Sequence, residues 1–181
     1  MVYLRFVWVI YMYLTHAYSE ERGCRRFMRL YVDADACPRA IKEILYRAVV
    51  RVKVPLIMVS NLNLQVPAAP NISGINVPGG PDAADDKIAE LVEAGDLVVT
   101  ADIPLADRVV SKGAVALDPR GDFYTEETIK HRLAVRNLMD QLRSQGANTS
   151  GPATFNLKDR QAFANQLDKF FAKGRANGDF L

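Results

Sequence analysis

The sequence predicts an α/β fold in which a mostly parallel central sheet carries helices on both faces, giving three layers. Two observations concern pattern: short apolar runs alternate with stretches of helical periodicity from residue 28 onward, and turn-forming residues separate them. The third concerns size, because 181 residues with 49% hydrophobic and 24% charged residues match one globular domain of roughly 100–200 residues. We therefore expect residues 28–181 to form a single domain.

Five apolar runs are predicted to form the strands. Residues 97–100 indicate most clearly a strand buried on both faces, whereas residues 72–77 are the weakest of the five and end at the turn-forming sequence PGGP. The remaining runs are residues 30–32, 56–59 and 114–117. Their alternation with helices favours parallel pairing, because parallel neighbours need a crossover connection.

Five segments with apolar residues at helical spacing are predicted to form helices. The first has Pro38 at a position expected for a proline of the first helical turn and runs to about residue 52. Residues 125–143 begin with the capping residue Thr125, followed by acidic residues where the helix dipole favours them. The other helices are expected at residues 82–94, in a short segment through Val109 and Val110, and at residues 158–173. The last helix is expected to dock on the core, and a homodimer contact through it stays open.

Residues 1–27 do not follow this pattern. Residues 2–14 form an apolar run that is shorter than the about 20 apolar residues needed to span a bilayer. The segment is either an upstream extension from a misassigned start, with translation beginning at Met28, or a signal peptide with a poor cleavage region. We favour the extension, because Cys24 and Cys37 cannot build the disulfide scaffold of a small secreted protein. We therefore expect a cytoplasmic protein without a membrane partner.

The charge of the predicted domain is balanced. The whole chain has a formal net charge of +2 at pH 7, but residues 28–181 contain equal numbers of basic and acidic residues. Global attraction to a polyanion is therefore absent, and any nucleic acid must be held by a local basic patch.

Acidic residues follow two of the predicted strands. Asp33 and Asp35 come after the first strand, and Asp102 comes after residues 97–100, with Asp107 five residues further on. The helix that begins near residue 82 adds three more at its N-terminus, namely Asp82, Asp85 and Asp86. Because ligands bind beyond the carboxyl ends of strands in an open parallel sheet, several of these carboxylates are expected to converge there.

Converging carboxylates repel one another, which raises their pKa values unless a cation neutralises them. Hard divalent ions prefer such oxygen ligands, so the pattern predicts Mg²⁺ or Mn²⁺ as cofactor. Two ions about 3.5–4 Å apart would clamp a phosphodiester and activate water for in-line attack, which is nuclease chemistry. For individual residues a local role stays open, since Asp35 can cap the first helix and Asp82 its own helix.

Five motifs, taken in order, resemble a known bacterial family. They are YVDADACP at 31–38, KEILYR at 42–47, DAADD at 82–86, DLVVTADIPLA at 96–106 and PRG at 119–121. Together they resemble the YaiI/YqxD family from about residue 28 to about residue 171. That family is biochemically uncharacterised and is similar to PIN-like and 5′-nuclease-type domains. The resemblance therefore implies a PIN-like fold and a nuclease that depends on Mg²⁺ or Mn²⁺.

The resemblance also implies roles for individual acids. Asp33 matches the first-strand acid of PIN-like domains, Asp102 the acid after the Thr-containing strand, and Asp107 a candidate fourth acid. Asp35 falls where many PIN domains have Asn, a departure that adds charge and could change the number of metals. The helix acid is Asp85 or its neighbour, so the implied catalytic residues are Asp33, Asp85 and Asp102, and the implied metal ligands are Asp33, Asp35, Asp85, Asp86, Asp102 and Asp107.

Weaker signals indicate residues that hold substrate, which we expect to be RNA rather than DNA. Asn61, after the second strand, could line the crevice or simply end the strand, and Thr100 could hydrogen-bond a metal ligand. A basic cluster in the C-terminal part could contact phosphates, with a solvated helix face as the alternative; it comprises Arg120, Lys130, His131, Arg132 and Arg136.

Two other functions stay open. An Asp-x-Asp pair after a strand, here Asp33 and Asp35, is also how phosphotransferases of the haloacid-dehalogenase type present a nucleophile and an acid. The other is a catalytically silent module that binds nucleic acid or protein.

Overall fold

The structure, a computed structural model, describes residues 28–80, 82–145 and 154–177. The predicted extension at residues 1–27 lies outside the described residues. The strands are β1 (Leu30–Asp33), β2 (Leu56–Ser60), β3 (Ile72–Asn76), β4 (Leu97–Val99) and β5 (Val115–Leu117). The helices are α1 (Arg39–Val52), α2 (Ala83–Leu91), α3 (Ile103–Ser111), α4 (Glu126–Ser144) and α5 (Leu157–Asn177).

All five strands pair in parallel in the order β3-β2-β1-β4-β5, so β1 is central. Its residue Val32 lies beside Met58 of β2 on one side and Val99 of β4 on the other. The chain builds β2 and β3 outward from β1 and then returns to add β4 and β5 on the opposite side. This reversal makes the carboxyl end of β1 and β4 the topological switch point, where open α/β sheets bind ligands.

Two hydrophobic cores cover the two faces of the sheet. On one face α1 and α5 pack together, with Leu45 of α1 and Phe163 and Leu167 of α5 fully buried. On the other face α2, α3 and the first half of α4 pack, through residues such as Ile88 and Val109. The predicted fold class is therefore confirmed: a parallel sheet lies between two layers of helices.

Local capping explains where several helices begin. Thr125 accepts a hydrogen bond from the backbone N–H of Thr128, which confirms the predicted cap of α4. The Thr128 side chain also accepts from the backbone N–H of Thr125, so the two residues form a capping box. Asn156 caps α5 in the same way, with its side chain accepting from Lys158 and Asp159. Pro38 lies just before α1 rather than inside its first turn.

Among the residues that the structure describes, no helix combines the length and the hydropathy that a membrane-spanning helix needs.

Candidate functional site

The candidate site is the carboxyl edge of β1 and β4. Asp33 is the last residue of β1, and Asp102 follows β4 by three residues. Since β1 and β4 are hydrogen-bonded neighbours, both residues reach the same edge of the sheet. Two aspartates separated by 69 positions in the chain are thus delivered to one place.

Asp33 is buried and only partly satisfied. It is 6% exposed, and its Oδ1 accepts hydrogen bonds from the backbone N–H groups of Asp35 at 3.2 Å and Ala36 at 3.4 Å. Its Oδ2 has no hydrogen-bond partner among the described residues. Burial raises the pKa of Asp33, and the charges of Asp35 and Asp102 raise it further, against the two backbone hydrogen bonds.

Asp102 is held in position by its own helix. Its Oδ1 accepts a hydrogen bond from the backbone N–H of Leu105 at 2.9 Å, so this oxygen caps α3. The buried hydroxyl of Thr100 accepts from the backbone N–H of Asp102 at 3.0 Å. Thr100 therefore fixes the backbone of Asp102, a predicted metal ligand, rather than its carboxylate. Oδ2 of Asp102 has no hydrogen-bond partner in the described part of the chain.

Asp85 joins this pair from the first turn of α2. The pKa of Asp85 is raised to about 6, first by burial and then by the negative charges of Asp33, Asp102 and Asp82, while the charge of Arg108 lowers it. The carboxylate makes no hydrogen bond with any described residue. Three segments of the chain therefore bring Asp33, Asp85 and Asp102 within electrostatic range of one another, and we call these three residues the carboxylate cluster.

The other predicted metal ligands have different surroundings. Both carboxylate oxygens of Asp35 are used, one by the hydroxyl of Ser60 at 2.5 Å and the other by the backbone N–H of Asn61 at 2.7 Å. Asp86 forms an ion pair with Arg108 at 2.8 Å. Asp107 is exposed and lines the groove between α2 and α3, beside Asp86.

Neither Asp35 nor Asp82, the two aspartates that the sequence offered as helix caps, makes a capping hydrogen bond with the described residues. Asp35 does not cap α1, since its oxygens bind the end of β2 instead. Asp82 occupies the cap position of α2, but its side chain makes no capping hydrogen bond. Among the three aspartates, only Asp102 therefore caps a described helix, and it uses one carboxylate oxygen to do so.

Two of the predicted substrate residues are engaged in ion pairs. Arg120 pairs with Asp159 of α5 at 2.9 Å, and the guanidinium of Arg132 bonds Asp118 at 2.9 Å and Asp122 at 2.8 Å. Lys130 is exposed on α4. These residues therefore do not form one open basic patch.

Asn61 bridges two loops at the candidate edge. Its backbone N–H donates to Asp35, and its side-chain amide donates to the carbonyl of Gly80 at 3.0 Å. Because Gly80 lies shortly before α2, this contact ties the end of β2 to the loop that carries Asp85 into the site. Sequence reasoning missed the neighbouring Ser60, which is 1% exposed and orients Asp35.

Asp118 is a further acid that sequence reasoning missed. It directly follows β5, so the same strand-end rule that singled out Asp33 and Asp102 also applies to it. Its carboxylate accepts hydrogen bonds from the backbone N–H of Arg120 and from the hydroxyl of buried Tyr124, in addition to Arg132. The guanidinium of Arg132 also stacks 4.8 Å from the Tyr124 ring centre.

The PRG motif has a structural explanation. Gly121 has φ +98°, and a Cβ at this position would lie 2.7 Å from backbone atoms of Ala162 and Phe163 in α5. Together with the ion pair between Arg120 and Asp159, this close approach docks α5 on the loop after β5.

The carboxylate cluster suits a hard divalent cation by its chemistry. Each of its three members keeps at least one carboxylate oxygen without a hydrogen bond to the described residues, and the donors are all oxygen. Within the described ranges, no three acidic, histidine or cysteine side chains are already gathered as a metal-binding group. Coordination by all three carboxylates therefore requires their side chains to move closer. Cys37 adds no reactive thiolate, because burial raises its pKa to about 12.

Comparison with known proteins identifies similar sequences over most of the chain. Residues 31–173 match a family model described as an uncharacterised bacterial YaiI/YqxD family. A UPF0178 protein of Hahella chejuensis is 56% identical over 146 residues, which cover 81% of this chain and 97% of the relative. UPF0178 proteins of Maridesulfovibrio salexigens (53% identical, 81% and 97% covered) and Xanthomonas oryzae pv. oryzae (55% identical, 80% and 89% covered) are similar. These names state no activity.

Proposed function

This chain belongs to the YaiI/YqxD family of uncharacterised bacterial proteins, and we propose that it is a divalent-metal-dependent nuclease that hydrolyses phosphodiester bonds, in RNA rather than DNA. The observation that carries the proposal is the carboxylate cluster: three aspartates from separate segments meet at the switch point of a parallel sheet, and each has a carboxylate oxygen to which no described residue donates a hydrogen bond. Repulsion among them leaves a site that a cation stabilises.

Asp33, Asp85 and Asp102 would hold Mg²⁺ or Mn²⁺. The ion, when bound, supplies Lewis acidity toward a phosphodiester and a more acidic water. The protein contributes positioning: backbone N–H groups fix Asp33, and α3 fixes Asp102. Because the pKa of Asp85 is about 6 in the metal-free protein, cation binding must displace its proton at lower pH. We therefore expect metal affinity to increase with pH through about 6.

The surroundings of Asp35 favour this proposal over an Asp-based phosphotransferase. That mechanism needs an acid two residues after the nucleophile that is free to act on the substrate. Here both oxygens of Asp35 accept hydrogen bonds from the end of β2. Asp35 thus supports the geometry of the edge and is poorly placed to serve as a general acid.

The proposal also places the protein in the cytoplasm, because its two cysteines are too few for the disulfide scaffold of a small secreted protein.

The test measures metal binding and cleavage on the full chain. Mn²⁺ binding is followed by calorimetry, and hydrolysis is followed with matched 20-nucleotide single-stranded RNA and DNA. Asp33→Asn and Asp102→Asn keep the backbone hydrogen bonds while removing the charge, and each is expected to lower Mn²⁺-dependent RNA cleavage by about 100-fold or more.

Asp122→Asn is the matched control, since it removes one exposed carboxylate outside the cluster and should leave cleavage unchanged. Wild-type protein that binds no Mn²⁺, or cluster variants that cleave like the wild type, would reject the proposal. A phosphorylated Asp33 formed from a small phosphoester would instead establish the phosphotransferase. RNA binding without cleavage would identify a silent binding module.

A further inference from the structure

The two helical layers differ strongly in charge. Helices α1 and α5 contain nine basic and three acidic residues, whereas α2, α3 and α4 together contain six basic and seven acidic residues. Residues 28–181 as a whole are neutral, so the fold separates charges that the chain carries in balance. The layer formed by α1 and α5 is therefore the basic layer of the protein.

The acidic residues of the basic layer are already neutralised. Glu43 pairs with Arg39 at 3.3 Å, and Asp168 pairs with Arg51 at 2.5 Å. Asp159 pairs with Arg120, which lies outside the layer. The remaining basic residues have no ion-pair partner in the described part of the chain: Lys42, Arg47, Lys158, Arg160, Lys169, Lys173 and Arg175. A surplus of cations on one face attracts polyanions.

The basic layer begins next to the carboxylate cluster. α1 starts six residues after Asp33, and Lys42 is close enough to Cys37 that its charge acts on the thiol. At 1.5 Å per residue, α1 and α5 extend for about 21 Å and about 31 Å. That length spans several phosphates of a nucleic-acid strand.

We propose that the basic layer binds the phosphate backbone of single-stranded RNA and leads it to the carboxylate cluster. The inference rests on the proposed function for the fate of the RNA, since it assigns the surface that holds the strand to be cleaved. It also moves substrate binding away from the basic cluster predicted between residues 120 and 136, because two members of that cluster, Arg120 and Arg132, are engaged in ion pairs. Contacts to phosphates carry no base information, so binding is independent of sequence.

The test compares two charge-matched double variants in EDTA, which removes the divalent cation that the proposed cleavage requires. Lys169→Gln with Lys173→Gln removes two exposed charges one turn apart on α5. Lys130→Gln with Arg136→Gln removes two exposed charges from α4. Affinity for a fluorescein-labelled 20-nucleotide single-stranded RNA is measured by anisotropy between 50 and 200 mM salt, and thermal melting verifies that each variant is folded.

The α5 variant is expected to bind about ten- to thirtyfold more weakly at 0.1 M salt, with the slope of log K against log salt reduced by about 1.4. The α4 variant should change affinity less than twofold. Equal losses in both variants, a larger loss in the α4 variant, or binding of wild type to phosphatidylserine vesicles but not to RNA would each overturn the inference.

The two proposals fail in different ways. RNA binding that depends on α5 without any Mn²⁺-dependent cleavage would reject the nuclease and keep the basic layer as an RNA-binding surface. Cleavage that requires Asp33 but is indifferent to the α5 charges, with unchanged RNA affinity, would reject the basic layer and keep the nuclease.

Discussion

Two acidic regions at the same edge of the sheet have opposite environments. Asp118, after β5, is enclosed by Arg132, Tyr124 and a backbone N–H group. Asp33 and Asp102, after β1 and β4, have carboxylate oxygens without hydrogen bonds to the described residues, and the charges around them are mostly negative. A strand-end position alone therefore does not leave a carboxylate available to a ligand. The useful distinction is whether its charge is neutralised within the fold.

The largest effect on stability is expected at the neutralised acid. Asp118→Ala removes the partner of the half-buried Arg132 guanidinium and of the buried Tyr124 hydroxyl, and it should lower the free energy of unfolding by about 2–3 kcal/mol. Urea denaturation measures the change. The matched control is Asp122→Ala, which removes the 68% exposed partner of the same arginine and should cost less than about 0.5 kcal/mol. Equal costs would mean that burial does not distinguish the two.

A smaller effect of opposite sign is expected in the carboxylate cluster. The pKa of Asp85 is raised to about 6, above its ordinary value, so ionisation of Asp85 destabilises the metal-free fold as pH rises from about 4 to above 6. Asp85→Asn should therefore stabilise the protein in EDTA by about 1–2 kcal/mol at pH 7.5, after allowance for solvent screening. The gain should be largely lost near pH 4 and nearly absent by about pH 3, where the wild-type carboxyl is protonated in the folded state and mostly protonated in the unfolded state.

Urea denaturation from pH 4 to pH 8 measures this dependence. Asp86→Asn serves as the neighbour control, because Asp86 is exposed and paired with Arg108, and it should show no comparable gain. A stabilisation by Asp85→Asn that is the same at pH 4 and pH 7.5 would show that charge repulsion is not its cause.

The smallest effect is expected at Asp35, whose environment is intermediate between those of the two kinds of acid: its oxygens accept hydrogen bonds, but from uncharged donors. Asp35→Asn loses one of its two acceptor contacts with the end of β2 and should cost about 1 kcal/mol of stability. Because both oxygens are already used, Mn²⁺ affinity in calorimetry should change less than about threefold, whereas Asp33→Asn should lose binding. A loss at Asp35 as large as that at Asp33 would make it a metal ligand.

The local sequence predicted most of the elements. The five strands and five helices lie within a few residues of their expected positions, because hydrophobic periodicity, caps and turn residues act over short distances. β1 extends one residue further than expected and so includes Asp33, and α5 continues to Asn177. The candidate site was only partly predictable, because the same aspartate residue type follows β1, β4 and β5.

The amino-acid sequence by itself determined the order of strands and helices and the supply of aspartates at strand ends, since both depend on neighbouring residues. Only the tertiary structure decided which acids have partners, because those partners are distant in the chain: the Ser60 hydroxyl donates to Asp35, Arg132 neutralises Asp118 and Arg120 neutralises Asp159. It also decided that α1 and α5 share one face and thereby concentrate positive charge on it. Charge neutralisation depends on distances in space, and these are set by the packing of the two layers on the sheet.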